Sequence, residues 1–144
     1  MVKGESEAAL LDDLIVSIGR RLLHYFGSKS EDLSLKEIFV IEILSRQGTA
    51  SMSELAASLG VPFTTMASMV NRMVSKGYLE KQPLPEDRRV MMISLAPAGR
   101  NIFDLHRQGL VAVVKEMLAT LEDADQNRLM ALINEVLQVV PDKA

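Results

Sequence analysis

The sequence predicts a mainly α-helical chain carrying one small β-hairpin, and three observations predict it. Apolar residues recur at three- and four-residue spacing through most of the length, the period of helices with one buried face. Two β-type runs, Tyr78 to Gln82 and Val90 to Leu95, break that period and flank the charged segment from Pro83 to Arg89. Just before them, the stretch from Ser51 to Lys76 divides at Gly60 into two short helical patterns, the outline of a helix-turn-helix.

Taken in order, Met1 to Glu7 is polar and expected to fray. Leu11, Leu14, Ile15, Ile18, Leu22 and Phe26 mark an amphipathic helix expected to end at Gly27, ahead of a polar link reaching Asp32. Ser34 and Glu37 have capping-box spacing and open a second helix, in which Ile38, Val40, Ile41, Ile43 and Leu44 leave little polar face, so that it should be buried. Gly48 closes it. A second capping-box pair, Ser51 and Glu54, precedes Leu55, Ala56 and Leu59. Pro62 suits the first position of the next helix, where a missing N–H costs nothing. There Val61, Met66, Met69, Val70, Met73 and Val74 form a core face, and Phe63, Thr64, Ala67, Ser68, Asn71, Arg72, Ser75 and Lys76 look the other way. Gly77 stops this helix. In the second β-run Met91, Ile93 and Leu95 should point one way, with Val90, Met92 and Ser94 opposite.

Pro97 can start a long helix with the stripe Ile102, Phe103, His106, Leu110, Val113, Val114, Met117 and Leu121. Glu122 to Asp125 interrupts it, and Leu129, Leu132, Ile133, Val136, Leu137 and Val140 mark a last helix. Apolar stripes at both chain ends have no further domain to cover, which fits packing against a second copy. The expected organisation is a winged helix-turn-helix at 34–95, an N-terminal dimerisation helix at 1–33 and C-terminal dimerisation helices at 96–144.

Composition narrows the function. The chain has 144 residues, no cysteine, no tryptophan and two histidines, which removes thiolate nucleophiles and sulfur-ligated zinc and leaves no metal site in view. No Gly-rich phosphate loop or paired catalytic groups are visible, so an enzyme is not expected, and no cofactor is implied. No run approaches the roughly 20 apolar residues that span a bilayer, and a cytoplasmic location without membrane contact is the expectation. The net charge is −3. From Val61 to Arg100, however, six cations (Arg72, Lys76, Lys81, Arg88, Arg89, Arg100) stand against three anions (Glu80, Glu86, Asp87). A local net of +3 beside −6 elsewhere is a basic module on an acidic scaffold, and local field steers a polyanion more than total charge does.

The segments SMSELAASL (Ser51 to Leu59), Gly60-Val61, Thr65-Met66, Asn71-Arg72, Lys76-Gly77-Tyr78-Leu79, Asp87-Arg88-Arg89 and Ser94 to Gly99 together resemble the MarR family of bacterial transcription regulators, over about Leu10 to Val140. The resemblance implies an obligate homodimer and a pseudo-palindromic double-stranded DNA operator. It places a recognition helix from each subunit in successive major grooves and the wing tips in flanking minor grooves. It also implies, for a repressor of this kind, release by a small apolar or aromatic effector held between the dimer helices and the reading head. Three positions depart from the family's habit: Ala96 stands where Thr usually caps the long helix, and Phe63 and Ser68 replace longer polar or basic residues.

The expected DNA-binding set is Phe63, Thr64, Thr65, Ala67, Ser68, Asn71, Arg72 and Lys76 on the helix and Arg88 and Arg89 on the wing. Phe63 and Ala67 suit thymine methyls, and the short hydrogen-bonding groups suit base edges or phosphates. Arg72 sits between faces and fits an internal ion pair nearly as well as a phosphate. By the resemblance, Arg89 enters the minor groove, Arg88 lies nearer a phosphate and Asp87 orients the tip. His24 and Tyr25 are candidate effector-pocket residues, with ordinary helix-surface packing as the plainer alternative. The methionines at 66, 69, 73, 91 and 92 read as soft core packing, with oxidation sensing as the other option. The competing overall reading is a dimeric winged-helix interaction protein that reads DNA weakly or not at all.

Overall fold

The computed structural model describes residues 3–29 and 32–139. Its elements are α1 (Lys3–Lys29), α2 (Leu35–Gln47), β1 (Thr49–Ser51), α3 (Met52–Leu59), α4 (Phe63–Ser75), β2 (Leu79–Pro83), β3 (Met91–Leu95), α5 (Pro97–Leu118) and α6 (Asp123–Leu137). They fall into two units, Met1–Ile38 and Phe39–Ala144.

In the first unit, α1 is longer than expected at both ends. It is helical from Lys3, where fraying was expected, and passes through Gly27 to Lys29. A lone glycine costs a helix only about 1 kcal/mol relative to alanine, and no proline follows to enforce a stop. Leu11, Leu14, Ile15, Ile18 and Leu22 all lie exposed along it. The capping box before α2 forms as expected: Ser34 N–H donates to Glu37 Oε2 at 2.7 Å and Glu37 N–H to Ser34 Oγ at 3.4 Å.

In the second unit, Val40, Ile41 and Leu44 of α2 are buried. An antiparallel sheet in the order β1-β3-β2 joins the hairpin to β1, with Ala50 opposite Ile93 and Leu79 opposite Leu95. β1 is absent from the sequence reading, because three residues are too few to show a period of two. The alternation along β3 is also weaker than expected: Ile93 is fully buried, while Met91, Met92, Ser94 and Leu95 are all half-buried. Gly48, Gly60 and Gly77, read as helix stops, all have positive φ, a region where a Cβ would be strained.

Two helices start in informative ways. Pro62 is the N-cap of α4 rather than its first residue, since its ψ of 148° is extended, and its carbonyl accepts from Met66 N–H at 3.0 Å. Ala96 caps α5 without a side-chain bond and Pro97 follows at the first helical position. Gly99, in the first turn of α5, is buried against Tyr78, where a Cβ would stand 2.2 Å from the backbone oxygen. Ala96 N–H donates to that same oxygen at 3.0 Å. In α6 no residue is buried, and Val140, the last of its expected stripe, lies outside the described residues. Among the described residues no helix is long and apolar enough to cross a membrane.

Candidate nucleic-acid interface

The helix-turn-helix is built by local chemistry before packing fixes it. Ser51 Oγ accepts from Glu54 N–H at 3.2 Å and Glu54 Oε2 accepts from Ser51 N–H at 2.7 Å, which satisfies two orphan donors at the start of α3. The Ser51 backbone N–H, helped by its hydroxyl, holds the Glu54 carboxyl below its ordinary value. Gly60 then turns the chain, and Val61 N–H donates back to Ala56 O at 3.0 Å.

α4 follows with two different faces. Met66, Met69, Val70 and Met73 are buried, which fixes the helix against α3 and β2. Phe63, Thr64, Thr65, Ser68, Asn71, Arg72 and Lys76 are exposed, and Ala67 is half-buried. Phe63, at 56% exposure, is an aromatic ring offered to solvent at the first turn. Thr64, Thr65, Ser68, Met69 and Arg72 line an open depression of about 390 Å³ along this face.

The wing tip is held by its own backbone. Leu84 N–H donates to Val90 O at 2.8 Å, Val90 N–H to Asp87 O at 3.0 Å and Asp87 N–H to Leu84 O at 3.2 Å. Asp87 Oδ1 accepts from Arg89 N–H at 3.0 Å, an Asx-type bond that closes the turn through the backbone of Arg89. The Arg88 and Arg89 side chains are exposed.

Lys81, counted among the cations of the basic module but absent from the expected DNA-binding set, joins the site. Its Nζ donates to Asn71 Oδ1 at 2.6 Å, so a strand of the wing and the exposed face of α4 share a hydrogen bond. Leu79 and Lys81 lie on one face of β2 by their spacing, and Leu79 is buried, so Lys81 extends from the face packed on α4. That period-2 relation was the signal available. His24 and Tyr25 lie on α1, in the other unit, the first exposed and the second half-buried. No group of His, Asp or Glu among the described residues is arranged to hold a metal ion.

Residues 33–91 match the sequence model of the MarR family. An HTH-type transcriptional regulator of Mycobacterium tuberculosis is 24% identical over 96% of this chain and 97% of its own length. Streptococcus pneumoniae FabT, solved in complex with DNA, superposes with a TM-score of 0.81 at 24% identity, covering 91% of this chain and 95% of that one. A mutant of Escherichia coli MarR complexed with operator DNA gives a TM-score of 0.68 at 26% identity over 91% of this chain and 96% of that one.

Proposed function

We propose that this chain is a MarR-family transcriptional regulator, which binds a pseudo-palindromic operator in duplex DNA as a homodimer and acts as a ligand-responsive repressor. The carrying observation is the division of α4, four buried residues behind a row of short exposed polar ones, next to a hairpin whose tip exposes Arg88 and Arg89. Helix and wing have different tasks. Phe63, Thr64, Thr65, Ala67, Ser68 and Asn71 read the major groove, and Arg72 and Lys76 hold phosphates. Arg89 enters a narrow minor groove, where negative potential concentrates, while Asp87 shapes the turn and Arg88 faces a phosphate.

The homodimer is supported by what the single chain leaves bare. Leu14, Ile15 and Ile18 on α1, Met117 on α5 and Ile133 and Val136 on α6 are exposed, and apolar stripes left bare along three helices fit cover by a second copy. Residues 1–33 and 96–144 are therefore assigned to dimerisation and 34–95 to reading. Acting on DNA places the protein in the cytoplasm. With no cysteine, the trigger for release is a small apolar or aromatic molecule rather than thiol oxidation, and His24 and Tyr25 are its proposed contacts.

The test is a titration of the protein with duplex DNA adjoining its own coding sequence, against scrambled duplex, at two salt concentrations. Preferential binding that weakens with salt is expected. Equal or undetectable binding to both duplexes contradicts the proposal and favours a winged-helix protein that docks other partners.

A further inference from the structure

We infer that Lys81 is a specificity-determining residue, which converts Asn71 from a reader of adenine into one half of a donor-only pair that selects guanine. The inference rests on the DNA-reading proposal above and deepens it.

An asparagine recognises adenine by using both ends of its amide, accepting from N6 with its oxygen and donating to N7 with its nitrogen. Here the oxygen is already engaged by the Lys81 ammonium at 2.6 Å. The carbonyl keeps a second lone pair, but an adenine amino group approaching it meets the ammonium as another donor, with the same polarity. What the pair still offers is the Asn71 amide nitrogen and the remaining N–H groups of Lys81, all donors and carrying one positive charge. Guanine presents O6 and N7, two acceptors side by side, in the major groove.

Placement supports this. Thr64, Ser68, Asn71 and Ser75 follow one another at spacings of four, three and four, a single row along the exposed face of α4. Ser75 Oγ donates to Asn71 O at 3.0 Å, which draws the serine toward its own helix. Asn71 and Lys81 therefore close the C-terminal end of the reading row, and both are exposed. Their bond also ties the wing to α4, so the same contact positions and reads.

The experiment is enrichment of bound sequences from duplexes with randomised half-sites, using wild type, Lys81→Met, Lys81→Arg and Lys81→Met combined with Asn71→Ala. Circular dichroism checks each fold, and Lys81→Gln replaces the methionine variant if that fails to fold. In Lys81→Met one column of each half-site is expected to move from guanine toward adenine by about tenfold, the scale of one bidentate pair. The arginine variant should keep the wild-type profile, and the double variant should lose the adenine gain. An operator profile unchanged in Lys81→Met, or an adenine gain that survives removal of Asn71, overturns this inference alone and leaves the pair a phosphate contact. A wild type that enriches no sequence contradicts the DNA-reading proposal and this inference with it.

Discussion

Helices α4 and α6 are of similar length and both carry an apolar stripe, yet four residues of α4 are buried and none of α6 is. For α4 the chain supplies its own cover, in α3 and β2. For α6, and for much of α1 and α5, the apolar side chains face solvent in the single chain, up to 69% exposure at Leu105. The difference separates a part of the molecule whose folding is settled within one chain from a part that, in the homodimer proposed here, is settled by a second.

Substitutions can break that comparison directly. Leu55→Ala removes a fully buried side chain of α3 and is expected to lower unfolding free energy by about 2–5 kcal/mol, alike at every protein concentration in urea melts. Ile133→Glu on α6 should act differently. Its cost should appear as dissociation in sedimentation and as a melting point that falls on dilution, while the reading head keeps its fold. A well-folded wild-type monomer at micromolar concentration would remove the distinction altogether.

A smaller effect probes the junction of the two regions. Gly99 lets α5 start beside the Tyr78 backbone oxygen, and Gly99→Ala forces a backbone shift because the new Cβ would stand 2.2 Å from that oxygen, which is backbone and cannot swing aside. A loss of about 1–3 kcal/mol is expected in urea melts, although alanine is the better helix former. A stabilised Gly99→Ala protein would show that α5 does not press on Tyr78.

Much of this was legible beforehand, for reasons that differ by element. Ser51 and Glu54 announced α3 because a capping box is encoded within four residues, and Met66, Met69, Val70 and Met73 announced their buried face because helical spacing is strict. Local signals failed where a neighbour decides. β1 exists because β3 pairs with it, and three residues carry no period of their own. α1 runs through Gly27 because one glycine is too weak a stop. In the candidate site, the exposed polar row and the charged tip could be read from spacing. The Lys81 to Asn71 bond could not, since the partners lie ten residues apart on different elements.

The smallest expected effect concerns the cap of α3. Ser51→Ala should cost about 0.5–2 kcal/mol at neutral pH. Because the Glu54 carboxyl is held below its ordinary value of 4.5, its contribution is complete above that pH and is lost as pH falls through the lowered value. Urea midpoints of wild type and Glu54→Gln should therefore differ near neutrality and converge in acid. A gap that widens in acid would reverse the sign of this account.

The central claim is that helix face and wing read DNA by separate means, and affinity across a salt series tests it most directly. Wild type, Arg89→Ala and Ser68→Ala are titrated with an operator and with scrambled duplex, after fold and dimerisation are confirmed. Arg89→Ala is expected to lose roughly 1–3 kcal/mol and to weaken the salt dependence while keeping the preference for bases under α4. Ser68→Ala should alter that preference and leave the salt slope nearly unchanged. An Arg89→Ala protein with wild-type affinity and salt slope would contradict the claim, leaving the wing outside the DNA.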